Sequence, residues 1–430
     1  MSGLLILGFI ALLVVLPWAH WIIPALGLIG LVPGAIAIKL VVARRRAAGA
    51  ISVPLERDDW LLLLVFLAYS VGWLFDVARS EQWPADSSGW LIPLPFWPLL
   101  AAVLMLWLAR YPPGVHVFWV AVCCGGLGAG LIALYESLML GRARASNDLN
   151  AILFGNLSLL LGLLSLLALV WCLRRNHAWS YGLACLAMLA GLSGILGSLL
   201  SGTRGGWIAM PLLLLIWFWS TRGLLPTGWK HGVIALLVVV VFTAVFVPGS
   251  NITPRIAAIG PQLHQFQSGE AQGSVGLRLE MWRSGVMLWR DRPFLGWGEG
   301  AVTERVHALI AEGQLSPQIY RFRQLHSDVI DTAARRGLAG VTMLFLLYCV
   351  PLWLFWRRFR SVRGAEVQLM AGAGLMIGVA FIAFGLSQSM LRDSLGLSGF
   401  LGLSIACWVS LRGSERYAAQ EQAIRTPDNL

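Results

Sequence analysis

Twelve apolar runs account for most of this chain, and few folds can hold so many. They cover about residues 4–19, 22–42, 60–77, 92–109, 115–139, 151–173, 181–200, 206–220, 232–247, 337–356, 369–388 and 395–411. About 17–25 apolar residues is the length that crosses a hydrocarbon core as a helix. Lipid offers the backbone no partners, so only a self-satisfied backbone can span it. Apolar residues make up 58% of the 430, and there are 21 tryptophans, which excludes an ordinary soluble enzyme. The chain therefore reads as an all-α polytopic membrane protein with about twelve transmembrane helices. Nine spans are expected in residues 1–247, a large, mainly helical loop in 248–336, and three spans with a tail in 337–430.

Basic residues set the orientation. With Arg44, Arg45 and Arg46 on the cytoplasmic side, alternation brings 17 of the 32 Lys and Arg inside, including Arg110, Arg174, Arg175, Arg357, Arg358 and Arg360. The short outside loops hold only five: Arg79, Arg142, Arg144, Arg204 and Arg392. That asymmetry is the positive-inside pattern. It puts both termini inside and the 248–336 loop outside. The pairs Trp18/Trp21, Trp217/Trp219 and Trp353/Trp356 fit interfacial belts. The N-terminal run has no basic leader and no clear small-residue cleavage site, so it is kept as a span. The net charge of +11 matches cytoplasmic loops facing anionic lipid and does not point to nucleic acid. All six cysteines fall in expected spans, without a CxxC metal pattern or a disulfide framework.

The long loop concentrates the polar chemistry. Ten arginines and eight acids make 18 of its 89 residues charged, against 35 in the other 341. Residues 254–268 are amphipathic. Residues 275–290 read as a helix with Arg278, Trp282, Val286 and Trp289 along one face, stopped by Pro293 and the Gly296-Trp297-Gly298-Glu299-Gly300 turn. Residues 301–312 read as a second helix. Another is expected from Ser327 through Gly337 into the tenth span.

Three outside residues stand out, each with a plainer reading. Arg204 lies in Ser201-Gly202-Thr203-Arg204-Gly205-Gly206, where the seventh span turns into the eighth. An arginine at a helix end ordinarily snorkels to the interface. Here the glycines, including Gly205, allow close backbone approach, Ser201 and Thr203 add hydroxyl donors, and the eighth span starts with its amides facing outward, a ready anion site. Arg278 ordinarily would be a solvated helix charge, and His326 an incidental loop histidine. His326 follows Arg321 and Arg323, and Asp328 or Asp331 is placed to orient its ring. Arg142, on the neighbouring short loop, is a further candidate. Guanidinium forks bind phosphate bidentately and stay charged, while a neutral imidazole accepts a proton near neutral pH. That set suits transfer from a pyrophosphate leaving group to a hydroxyl. The chain has no DxD, HxxxH or HExxH, so arginines rather than a metal would neutralise the leaving group.

Three stretches resemble the O-antigen ligase family of the O-antigen ligase/polymerase superfamily. Ser201-Gly202-Thr203-Arg204-Gly205 resembles its small-residue-Arg signature at a span end. Arg278-Leu279-Glu280-Met281-Trp282 followed by Arg292-Pro293-Phe294-Leu295-Gly296-Trp297-Gly298-Glu299-Gly300 resembles its loop pattern. His326-Ser327 with Gly337-Leu338-Ala339-Gly340 resembles its His-Asn…Gly-x-x-Gly stretch, with Ser327 departing from the usual Asn. The resemblance implies a GT-C-like glycosyltransferase in the bacterial inner membrane with its site facing the periplasm. It implies transfer of a polysaccharide from undecaprenyl pyrophosphate to a sugar of the lipid A core, inverting and without metal, cofactor or nucleotide sugar. Arg204 and Arg278 would then bind the pyrophosphate and His326 would activate the acceptor, with Gly205, Arg142, Arg321 and Arg323 as further substrate contacts. A monomer in membrane lipid is the expectation.

Three rivals are open. A polymerase of the superfamily would use another lipid-linked glycan as acceptor, and a protein O-oligosaccharyltransferase a protein hydroxyl. A twelve-span transporter ordinarily has two six-span halves with a long central cytoplasmic connection. Here the longest connection follows the ninth run and faces outward, with no repeat, and acids such as Asp76 and Glu136 sit near span ends.

Overall fold

The computed structural model describes residues 1–30, 55–84, 92–175, 177–246, 273–361 and 364–425, with isolated positions at 257, 260–262 and 264. The expected amphipathic segment 254–268, the end of the second run and Arg44 to Arg46 therefore lie largely or wholly outside the described residues. Every regular element among those described is helical.

Among the described residues nine helices precede the loop: α1 (Ser2–Leu12), α2 (Ala19–Gly30), α3 (Arg57–Ser80), α4 (Phe96–Arg110), α5 (Val115–Leu134), α6 (Ala151–Leu173), α7 (Ala178–Ser201), α8 (Arg204–Ser220) and α9 (Thr227–Phe246). The loop supplies α10 (Gly273–Asp291) and α11 (Glu299–Ala311), and α12 (Asp328–Arg360), α13 (Ala365–Gly385) and α14 (Ser394–Arg425) follow. Each apolar run thus meets a helix. Seven of them (α3, α5, α6, α7, α12, α13 and α14) are long and apolar enough to cross a membrane. Among the described residues α1, α2, α4 and α9 are shorter apolar helices, and α8 has 17 residues with Pro211 inside. The first run does not form one helix to residue 19: α1 ends at Leu12, and Pro17 separates it from α2.

α6 is the central post. Every residue from Leu153 to Cys172 is buried, and α5, α7, α8 and α13 pack around it. Small residues set the α6–α7 distance. A Cβ on Gly162 would lie 2.8 Å from the Gly191 carbonyl oxygen, and one on Gly194 2.6 Å from that of Ser158. Close backbone approach of this kind drives helix pairing where no hydrophobic effect acts between helices. The outer helices turn Leu64, Phe75, Leu131, Ile208, Leu215 and Phe345 outward, a surface that suits lipid and not water. Of the expected tryptophan belt, Trp18, Trp219 and Trp353 are exposed, but Trp217 is fully buried and belongs to the packing.

The loop has its own small core. Met281 and Leu288 of α10 pack with Val302, Val306 and Leu309 of α11 and with Leu315, Ile319 and Leu325. The buried stripe of α10 therefore runs through Met281, Ser284 and Leu288, and Val286 and Trp289 of the expected face are exposed. α10 ends at Asp291, before Pro293, as its stop signals require.

The glycine-rich turn joins this layer to the membrane helices. α12 breaks at Gly337, whose φ of 59° and ψ of −155° only glycine adopts readily. Residues 293–298 lie against that break. Trp297 N and Gly298 N donate to the carbonyls of Ala334 and Arg335 at 3.0 and 2.8 Å. Leu338 N and Ala339 N donate to those of Pro293 and Phe294 at 2.7 and 3.1 Å. A Cβ on Gly296 would sit 2.4 Å from the Arg335 carbonyl carbon. The glycine motifs of the loop and of residues 337–340 are thus two halves of one backbone joint.

Candidate active site

Where the α7–α8 turn meets α10 and the segment before α12, the chain leaves a cavity of about 620 Å³. Arg144, Arg204, Arg278, Arg321 and His326 reach it, with Thr203, Gly205 and Phe322 also on its wall, and none of the described residues that line it is acidic.

Each arginine is placed by a separate element. Arg204 is the first residue of α8, capped by Thr203, so the positive end of that helix dipole faces the same space. The turn before it is pinned from inside. Thr203 Oγ1 donates to the Ala151 carbonyl at 2.9 Å, Ser201 Oγ donates to that of Ser198 at 2.7 Å, and the two hydroxyls sit 2.7 Å apart. The hydroxyls expected as ligand donors are therefore consumed in holding the turn. Gly205 has no room for a side chain, since a Cβ would meet Ser387 Oγ at 2.3 Å. Arg278 projects from the first part of α10 and Arg321 from the stretch before His326, where its guanidinium stacks on Phe322 at 5.0 Å. Arg144 arrives on the loop after α5, its Nε donating to the Ser201 carbonyl at 2.9 Å.

These charges feel one another. Burial lowers the Arg278 pKa, and Arg204 and Arg144 lower it further. Guanidiniums gathered this closely raise the local positive potential and favour an anion between them. Two sequence candidates lie elsewhere. Arg142 donates to Glu136 at 2.5 Å and to Asp148 at 3.0 Å, and does not line the cavity. Arg323 is exposed, and its carbonyl accepts from Arg335 Nη2 at 2.7 Å. Arg144, two residues from Arg142, takes the place in the cavity that Arg142 does not fill.

His326 has a left-handed φ of 52°, uncommon outside glycine and a form of local strain found at functional sites. The surrounding contacts impose it. Ser327 N donates to Ser389 Oγ at 3.1 Å, Ser389 Oγ donates to Asp331 Oδ2 at 2.8 Å, and Leu325 N donates to that same oxygen at 3.1 Å. Asp328 accepts from Leu391 N at 2.9 Å and from the Tyr348 hydroxyl at 2.8 Å. Both aspartates hold the chain rather than the imidazole. The ring is held by Gln388, whose Oε1 is 2.6 Å from Nδ1, and Phe322 meets it edge-on at 5.6 Å. An amide oxygen only accepts, so Nδ1 carries the proton and Nε2 is left as the acceptor. Burial pushes the His326 pKa below 6.5. The Gln388 hydrogen bond opposes that shift, the Arg278 charge adds to it, and Asp331 opposes it. The net result is an imidazole that is neutral at neutral pH.

Beside the cavity lies a second arginine cluster. Glu299 is buried and accepts from Arg336 Nη2 at 2.9 Å, from Arg392 Nη1 at 2.7 Å and from the Trp73 indole at 3.1 Å. Arg335 donates to the Glu299 carbonyl and, at 2.6 Å, to Asp331. Burial pushes the Glu299 carboxyl up, but Arg392, Arg335 and Arg336 outweigh it and hold the group well below the usual range. The Glu299 of the glycine turn is thus a structural hub. Among the described residues no three His, Cys, Asp or Glu side chains gather in a metal-holding group.

Comparison with known proteins follows the same residues. Residues 189–345, which include Arg204, Arg278 and His326, match the model of the O-antigen ligase family. An uncharacterized protein of Haemophilus influenzae is 22% identical over 351 residues, 80% of this chain and 86% of the relative. An O-antigen ligase of Escherichia coli is 21% identical over 203 residues, 47% of this chain and 46% of the relative. The part of the chain that carries the candidate site, residues 189–345, is thus similar to the O-antigen ligase family.

Proposed function

We propose that this protein is an O-antigen ligase. It transfers O-antigen polysaccharide from undecaprenyl pyrophosphate to a sugar hydroxyl of the lipid A core, at the periplasmic face of the bacterial inner membrane. One observation carries the reading: a single cavity gathers four arginines and one histidine, whose Nδ1 lies 2.6 Å from the Gln388 amide oxygen. In this account the apolar helices make twelve crossings, both termini are cytoplasmic and the α10–α11 layer is periplasmic. Reporter fusions at residues 270 and 360 should report opposite compartments, and one shared compartment would sink that topology.

The steps follow from the groups present. Arg204 and Arg278, helped by Arg144 and Arg321, grip the pyrophosphate of the donor. The acceptor hydroxyl oxygen attacks the anomeric carbon from the face opposite the pyrophosphate. Its proton passes to His326 Nε2 as the new C–O bond forms. The old C–O bond breaks, its electron pair leaves on the pyrophosphate, and the anomeric centre inverts. The guanidiniums neutralise the charge that grows there, the role a divalent cation fills elsewhere. A polymerase of the same superfamily would use the same donor chemistry with a lipid-linked glycan as acceptor. The lipopolysaccharide of a deletion strain separates the two. Loss of a ligase leaves bare core and accumulated lipid-linked polymer, whereas loss of a polymerase leaves core capped with one repeat unit.

A further inference from the structure

We infer that Gln388 is the positioning residue for His326, fixing its tautomer with a neutral amide where many working histidines have a carboxylate. The inference rests on the reading of His326 as the base. Gln388 is buried, with 1% of its surface exposed, in the turn between α13 and the Met390–Arg392 turn. Its Oε1 sits 2.6 Å from His326 Nδ1.

The rest of this turn is organised around the same segment. Ser389 Oγ receives Ser327 N, Leu391 N reaches Asp328, and the Arg392 carbonyl accepts from Gln324 Nε2 at 3.3 Å. Residues 324 to 328 are thus gripped at four points by residues 388 to 392, and only the Gln388 contact reaches the imidazole. An acceptor at Nδ1 leaves Nε2 without a proton, the form that a base needs.

The choice of amide over carboxylate has a chemical consequence. A carboxylate there would stabilise the imidazolium and would add a negative charge next to a cavity lined by four arginines. The amide orients the ring without doing either. The groups facing the imidazole are then Gln388 on one side, the Arg278 guanidinium on the cavity side, Asp331 through space and the Phe322 ring edge. Asp331 is itself taken by Arg335 and Ser389, so among the described residues no free carboxylate competes for the imidazole proton. A base that holds its proton weakly can release it to the departing pyrophosphate and be ready for the next turnover.

The test uses the purified full-length protein in lipid, a defined lipid-linked donor and a core acceptor, with kcat, donor KM and the pH–rate profile measured for each variant. Gln388→Leu removes the acceptor at similar volume. It should lower kcat by about 10²-fold, the scale of lost base catalysis, with donor KM near wild type. Gln388→Glu keeps an acceptor at Nδ1 and adds charge. It should hold most of the activity at alkaline pH while the acid limb of its profile moves up by roughly 1 unit or more. If both variants keep wild-type rates and profiles while His326→Ala is inactive, the positioning role is wrong and the base assignment stands. If His326→Ala itself transfers normally, the base assignment fails and takes this inference with it. Equal loss in both Gln388 variants with no movement of the acid limb would mean the turn is only structural, and would overturn the inference.

Discussion

Two groups of arginines sit side by side where the loop layer meets the apolar helices, and their surroundings differ. Arg335, Arg336 and Arg392 converge on Glu299 and Asp331, are almost fully buried, and have a carboxylate within ion-pairing distance. Arg144, Arg204, Arg278 and Arg321 converge on a cavity whose described lining residues include no acid. The first group ties the loop layer to α3 and α12. The second lines a cavity, where in the proposed function it meets the donor pyrophosphate. Guanidinium count alone therefore says nothing about function near a membrane surface; the location of the counter-charge does. Arg142 makes the point on a smaller scale, since it is two residues from Arg144 and is neutralised by Glu136 and Asp148.

This contrast should show itself most strongly in the paired group. Glu299→Ala leaves three buried guanidiniums without their shared carboxylate. Removing one partner of a buried ion pair costs about 3–5 kcal/mol, so little folded protein should be recovered from membranes, as read by detergent-resistant monomer and melting temperature. A normal melting curve for Glu299→Ala would erase the distinction between the groups.

The cavity arginines should behave the other way. Arg204→Ala and Arg278→Ala should each cut turnover by about 10²-fold or more, by analogy with losing one oxyanion donor, with melting temperature unchanged or slightly raised as like-charge repulsion is relieved. Lys at either position keeps the charge but loses the fork and should rescue poorly. Full activity in both Lys variants would rule out bidentate phosphate binding. A smaller effect is expected at Arg144, where part of the guanidinium is spent on the Ser201 carbonyl. Arg144→Ala should slow transfer about tenfold, the worth of one charged contact at roughly 1.4 kcal/mol. Arg142→Ala should weaken the 142–148 loop and leave transfer nearly intact. If Arg142 proves the more damaging of the two, the cavity has been drawn in the wrong place. The smallest effect is expected from EDTA, which should leave the rate unchanged, because in this account guanidiniums carry the leaving-group charge. Strong inhibition reversed by Mg²⁺ or Mn²⁺ would contradict it.

Much of this was legible from residue order, for physical reasons. Apolar runs had to become helices, because lipid leaves the backbone no other way to satisfy itself. Arg204, Gly205, Arg278, Arg321 and His326 were reached through chemistry and through motifs that resemble the family's. What stayed hidden depended on contacts far apart in sequence. Nothing local separates Arg142 from Arg144; the π turn at Tyr135–Met139 and the return of Asp148 decide it. Gln388 lies 62 residues from His326, in a turn with no motif, whereas Asp328 and Asp331 were near enough to suggest themselves. In the sequence Glu299 is marked only by its place in the glycine turn that stops a helix. Its burial among three arginines became visible only when Gly296 and Gly298 were seen packed on the break at Gly337.

The central claim is that the arginines hold the donor and His326 moves the proton, so the two tasks should come apart in one variant. The direct test measures lipid-donor binding and transfer rate on the same purified His326→Ala protein, alongside the pH dependence of the wild-type rate. The account predicts near wild-type donor binding and transfer slowed by about 10²–10⁴-fold, the range of general-base help. It predicts a wild-type rate that is flat at neutral pH and falls only as pH drops through a histidine pKa below 6.5, the imidazole being active only when neutral. Transfer by His326→Ala at the wild-type rate would contradict the account, and loss of donor binding instead would make His326 a pyrophosphate ligand like the arginines around it.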